Sequence, residues 1–191
     1  MEWSILFMGP VGAGKTQAVR TLSDIDTAET DVKATDTTAV FKAMTTVSMD
    51  AGVLDLGEGD KVRLIGAPGQ DRFDFMWDIL LEQAKAVAIL IDHRRDSRLK
   101  DLDHYLDAVG SRLHGRRVPL AIGATHMDMR GRVPLQVYHD HLGQRNLPFV
   151  SGVPAIFSVD ARDANDVRAL VTGLAAMVEM QQRFSDTFVF N

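Results

Sequence analysis

Gly9-Pro10-Val11-Gly12-Ala13-Gly14-Lys15-Thr16 is the stretch of this chain on which its fold turns. It matches the full pattern G-x-x-x-x-G-K-[ST], in which a glycine-rich turn between a strand and a helix wraps a phosphate. The flanks suit the motif: Trp3–Met8 is a short apolar run, and Lys15 to Leu22 opens a helix directly from the turn. Each residue type has a physical reason. The glycines let successive backbone N–H groups face inward, Lys15 sets a cation between two phosphates, and the Thr16 hydroxyl is a hard oxygen donor for Mg²⁺. The helix beginning at Lys15 adds the positive end of its dipole. Gly9, Val11, Gly12, Ala13, Gly14, Lys15, Thr16 and the adjoining Gln17 are therefore candidate nucleotide-binding residues, with Thr16 a candidate metal ligand. The bland alternative is a strand–helix turn that holds nothing; the complete motif in its required context speaks against it.

Outward from the loop, short apolar runs alternate with helical patterns, as in a mostly parallel sheet covered by helices. Strands are predicted at Trp3–Met8, Thr46–Ala51, Val62–Gly66, Ala86–Asp92, Val118–Gly123 and Ala155–Ser158. Leu99, Leu102, Leu106, Val109 and Leu113 recur at helical spacing, as do Val167, Leu170, Val171, Leu174 and Val178. Pro134 is placed to open a helix carrying Leu135, Val137, Tyr138 and Leu142. The expected fold is α/β, a P-loop NTPase with a mainly parallel six-stranded sheet between helices and ligands at the C-terminal ends of the strands. Residues 1–191 are expected to form one domain, with 184–191 a tail or an extra strand. The Thr- and Asp-rich stretch from Ile25 to Met44 has no apolar period, the mark of a functional or mobile segment.

Composition narrows the class. The hydrophobic fraction is 46% and the charged fraction 25%, ordinary for a water-soluble protein. A formal net charge of -5 argues against non-specific nucleic-acid binding, which needs a basic surface. No apolar run approaches the roughly 20 residues that span a bilayer, and Glu2 precedes the first apolar stretch, so a signal peptide is not expected. With no cysteine and no glycine at position 2, neither disulfides nor lipid attachment at those residues is expected. The expectation is a cytoplasmic protein with no direct membrane anchor.

After the strand Val62–Ile65 comes Gly66-Ala67-Pro68-Gly69-Gln70-Asp71-Arg72-Phe73. With the P-loop upstream, this resembles the second switch segment of the small GTPases, Asp-Thr-Ala-Gly-Gln-Glu-Arg-Phe in Rab-like members. The resemblance implies that the Gly69 N–H meets the γ-phosphate and that Gln70, the candidate catalytic residue, orients the attacking water. Gly66 departs from the pattern, since most of the family has there an Asp that holds Mg²⁺ through a water. Metal retention is then expected to be weak unless Asp50 or Asp92 supplies the carboxylate. The Gly-x-Pro-Gly-Gln form, together with Thr45-Thr46-Val47-Ser48-Met49-Asp50-Ala51-Gly52, looks like a bacterial, MglA-like branch often partnered by Roadblock/LC7 proteins. By that likeness Thr46 is the first switch's metal ligand, with Thr45, Thr37 and Thr38 still open.

Further resemblances follow in family order. Thr125-His126-Met127-Asp128 stands where GTPases have Asn-Lys-x-Asp. Asp128 would accept from guanine N1–H and the 2-amino group, His126 would lie against the base, and Thr125 replaces the supporting Asn; a turn-capping role is the plain alternative for Asp128. Ser158-Val159-Asp160-Ala161 stands where the family has Ser-Ala-Lys, so the backbone of Ser158 and Val159 would reach guanine O6. The implied function is GTP and GDP binding with Mg²⁺ and slow hydrolysis, as a switch for a Roadblock-type regulator and further effectors. Val11 stands where Ras has glycine, where bulk hinders an arginine finger. Two other readings remain: a P-loop ATPase or kinase using Asp92 at the metal, and a non-hydrolysing nucleotide-dependent scaffold. Phe73, Phe75, Met76 and Trp77 crowd the segment after Gln70, some expected to pack inward and the rest to offer a partner surface.

Overall fold

The computed structural model describes residues 2–24, 50–57, 59–129, 135–150 and 153–185. The strands are β1 (Glu2–Met8), β2 (Asp50–Gly57), β3 (Asp60–Gly66), β4 (Ala86–Asp92), β5 (Leu120–Thr125) and β6 (Ala155–Val159). The helices are α1 (Lys15–Leu22), α2 (Phe75–Gln83), α3 (Arg98–Arg112), α4 (Gln136–Gly143) and α5 (Ala164–Ser185). Among the described residues they build a 6-stranded sheet in the order β2-β3-β1-β4-β5-β6. Every pairing is parallel except β2 with β3. This is the P-loop NTPase arrangement expected from the sequence.

The core sits on both faces of the sheet, and β1 shows how. Its side chains alternate with period 2: Leu6 and Met8 join α2, α3 and α4 on one face, while Ile5 and Phe7 join α1 and α5 on the other. All 7 residues of β4 are buried, so it reads as a continuous apolar run rather than an alternating one. Each fully buried Leu, Ile or Phe contributes about 1.5–3 kcal/mol relative to exposure. The helices supply matching stripes, Leu102, Tyr105, Leu106 and Val109 on α3 and Val167, Leu170, Val171, Leu174 and Val178 on α5.

Some expected bounds shift. The second strand, described over Asp50–Gly57, runs on beyond the expected end at Ala51, while residues 46–49 lie outside the described residues. Gly52, Asp55 and Gly57 have poor strand propensity, but antiparallel pairing with β3 carries them. The fifth strand begins at Leu120, because Val118 turns aside to a bridge with Val150. Helix α5 continues through Ser185, taking in the first two residues of the segment 184–191, and 186–191 lie outside the described residues. So do Pro134, the stretch from Ile25 to Met44, and Thr37, Thr38, Thr45 and Thr46.

Candidate functional site

The loop between β1 and α1 lies at the C-terminal edge of the sheet, beside the ends of β3, β4 and β5. Gly9 has φ 138° and passes so close to β4 that a Cβ there would lie 2.1 Å from the Leu90 carbonyl oxygen. No side chain fits at that position. Gly14 caps α1 from the left-handed region at φ 93°, and the helix has neither a side-chain cap nor an acidic residue in its first turn. Its leading N–H groups therefore face the loop without a carboxylate in that turn to satisfy them, the condition for anion binding at a helix start.

Lys15 is buried, and its ammonium donates to the carbonyls of Gly9 at 2.7 Å and Pro10 at 2.8 Å. These bonds fix the ammonium at the loop mouth while using two of its three protons. Burial pushes its pKa down to about 8, against the attraction of Asp50. A buried cation lacking a full counter-charge is what an incoming polyanion would neutralise. The Thr16 hydroxyl donates to the carboxylate of Asp50 at the start of β2. Gln17 reaches Thr21 at 2.9 Å, and Thr21 in turn donates to the Ala161 carbonyl at 2.8 Å, tying α1 to the loop after β6. Val11 is 60% exposed at the loop crest.

The segment after β3 closes on this loop. A Cβ on Gly69 would lie 2.7 Å from the Lys15 Nζ and 2.8 Å from both the Gly9 oxygen and the Val11 nitrogen. Two buried aromatics hold this backbone: Trp77 Nε1 donates to the Pro68 carbonyl at 3.1 Å and the Tyr105 hydroxyl to that of Gly69 at 3.3 Å. Gln70 follows, exposed, its carbonyl accepting from Phe73 N–H at 3.0 Å. The aromatic crowd divides: Met76 and Trp77 are buried, Phe73 is half-buried, and Phe75 is 60% exposed with Ile79 beside it on α2 at 38%.

At the end of β5, Thr125 is buried and donates to the Ile91 carbonyl at 3.2 Å. His126 adopts φ 57°, uncommon for a residue with a side chain, and its Nδ1 lies 3.1 Å from the Thr125 hydroxyl and 3.5 Å from Asp92. Asp128 is exposed and meets the guanidinium of Arg162 at 3.4 Å. Arg162 also grips Asp160 at 2.7 Å and, chiefly through its side-chain hydrogen bonds, holds that carboxyl down to about 2. Ser158 is exposed and Val159 buried on β6, and a Cβ on Gly14 would lie 3.0 Å from that of Ala161. The residues expected from the P-loop, the β3–α2 segment and the turns after β5 and β6 therefore converge on one edge of the sheet. Arg162 was not singled out in the sequence; nothing in its spacing marks it.

Two arrangements bear on metal binding. Asp92 accepts from Arg94 through the backbone N–H at 3.0 Å and through the guanidinium at 3.0 and 2.7 Å. Burial opposes its charge, but these bonds outweigh it and keep the Asp92 carboxyl below the usual carboxylate range. Thr16 and Asp50, by contrast, bring two hard oxygen donors together in front of Lys15, the donor chemistry Mg²⁺ takes.

No family model matches this chain, and no curated protein does. Among solved structures, it is similar to the Arl6 BBS3 small GTPase from Trypanosoma brucei, solved with the nucleotide analogue GppNp, at 18% identity and a TM-score of 0.68. The similarity covers 95% of this chain and 99% of that one. At that identity the likeness is one of fold.

Proposed function

We propose that this chain binds GTP and GDP with Mg²⁺ and hydrolyses GTP slowly, acting as a nucleotide-dependent switch for partner proteins. The observation that carries the reading is the approach of Gly69 to Lys15 and Val11, which sets a second backbone segment across the mouth of a complete phosphate loop. In this reading the amides of residues 9–17 and the Lys15 ammonium bind the phosphates. Thr16, with Thr46 from the first switch, ligates Mg²⁺, which when bound neutralises charge on the phosphate oxygens. The Gly69 N–H meets the γ-phosphate and Gln70 orients the water. Thr125, His126 and Asp128 with Ser158 and Val159 receive the guanine, and Asp128 must then exchange Arg162 for the base. A switch follows if the γ-phosphate orders the segments around Thr46 and Gln70.

The MglA-like resemblance supports a Roadblock/LC7-type regulator, and the exposed Phe75 and Ile79 on α2, the helix that follows Gln70 in the chain, give it an apolar surface to meet. One domain over 1–191 and a cytoplasmic location belong to the same proposal; no described helix is long and apolar enough to cross a membrane. The ATPase or kinase reading needs Asp92 at the metal, and the Arg94 bonds that occupy Asp92 count against it. The scaffold reading differs only in hydrolysis. The test is to purify the protein, release its bound nucleotide with acid and identify it chromatographically, then compete labelled GDP with GTP and ATP. Co-purified guanine nucleotide and a strong GTP preference are expected; adenine nucleotide, or equal competition, overturns the proposal.

A further inference from the structure

The register of the β2–β3 hairpin sets Asp50 directly across from Gly66. A Cβ built on Gly66 would lie 3.2 Å from the Asp50 Cβ and 3.3 Å from its Oδ2. The space that a side chain at position 66 would fill is therefore taken by Asp50, leaning across from the neighbouring strand. That same carboxylate receives the Thr16 hydroxyl and lies near enough to Lys15 to oppose the loss of its charge. Gly66 is not in the left-handed region, so its backbone has no need of glycine; the neighbour's carboxylate does.

We propose that Asp50 is the metal-positioning carboxylate of this chain, supplied from β2 in place of the side chain that Gly66 lacks. The assignment rests on the nucleotide-binding reading above. Either strand can deliver a carboxylate to the space in front of Thr16, but not both. Two acidic side chains at Asp50 and position 66 would bring like charges within about 3–4 Å, where one must give up its charge or move away. The pair is thus a single acidic position that the hairpin can fill from either side. A positioning carboxylate beside a metal is worth about 10- to 100-fold in metal affinity.

The test is a fluorescent-GDP titration of the full chain, in EDTA and across a Mg²⁺ series, for the unaltered protein, Asp50→Asn, Gly66→Asp and the double variant Asp50→Gly/Gly66→Asp. Asparagine keeps the shape of Asp50 and can still accept from Thr16, so melting of the nucleotide-free protein should hold, and the effect is read in the Mg²⁺ dependence of binding, with the EDTA titration as each variant's own baseline. The Mg²⁺ midpoint should rise by about 10- to 100-fold. Gly66→Asp alone should not improve the midpoint and should lower the melting temperature. The double variant, with its carboxylate moved to the other strand, should recover most of the Mg²⁺ dependence, which a merely structural Asp50 would not produce. An Asp50→Asn midpoint equal to that of the unaltered protein, or a double variant no better than Asp50→Asn, overturns the assignment alone. If the unaltered protein binds no nucleotide in either buffer, the proposed function falls and the assignment with it.

Discussion

Lys15 shows how a single residue can be set for a ligand. Two loop carbonyls fix its ammonium, and burial has already stripped part of its water. Removing it should cost the charge-assisted contact to phosphate, about 1.5–3 kcal/mol, or roughly 10- to 150-fold in affinity. Lys15→Ala is therefore expected to weaken GDP and GTP alike by that factor, measured by equilibrium titration. In the proposed function Asp128 acts on selectivity instead. An amide in its place offers one acceptor and one donor and cannot accept from both guanine donors. Asp128→Asn should erase much of the GTP-over-ATP preference while leaving the phosphate contacts intact, as read by competition with labelled GDP. Equal GTP preference in the variant would return Asp128 to the plain role of a turn residue paired with Arg162.

At the scale of elements, α4 is pinned to the end of β4 by one buried polar contact, His93 Nδ1 with the Tyr138 hydroxyl at 2.9 Å. Both residues are 0% exposed, so the bond forms where water cannot replace it. Burial pushes the Tyr138 hydroxyl up to about 12. Between roughly pH 10, where tyrosine in an unfolded chain ionises, and pH 12, the folded chain keeps a proton that the unfolded one has lost. The stability this represents is complete below about pH 10 and is lost as pH rises through that window. Tyr138→Phe should remove this part of the alkaline decline and cost about 1 kcal/mol at neutral pH by taking away the buried hydrogen bond between Tyr138 and His93. Urea unfolding of both proteins at a series of pH values checks it. Pro68 and Gly69 are held in the same way, by Trp77 and Tyr105. The segment ahead of Gln70 thus hangs from the α2–α3 layer rather than from its own strand.

For the whole molecule, the proposed switch needs chemistry that waits for a partner. Val11 stands exposed over the loop, and no arginine lies between Ile25 and Met44. Without an arginine finger, hydrolysis on this fold runs at about 10⁻⁴ to 10⁻³ per second, and a finger adds roughly 10³- to 10⁵-fold. Single-turnover hydrolysis by the purified chain should fall in the slow range. Gln70→Leu should abolish partner-stimulated turnover while GTP binding persists; turnover near one per second alone, or stimulation indifferent to Gln70, defeats the proposal. The residues that determine the fold were legible in the chain because their signals are local. Gly9 to Thr16 is contiguous, the apolar runs of β1 and β4 have strand length, and α3 and α5 carry helical periods. The carboxylate that faces Thr16 was not legible to the same degree, since the sequence left both Asp50 and Asp92 open. What separates them is which neighbour each meets, Gly66 and Thr16 for one and Arg94 for the other. The Arg94 contact is local, two residues along the chain, but those of Asp50 depend on strand register and loop closure, which arise only when the sheet assembles. The sequence alone therefore determined the strand–loop–helix core and its phosphate loop, because periodicity and motif act over a few residues. Only the tertiary structure decided that Asp50 faces Thr16, that Arg162 meets Asp128 and that Tyr105 holds Gly69, because those contacts join residues tens of positions apart.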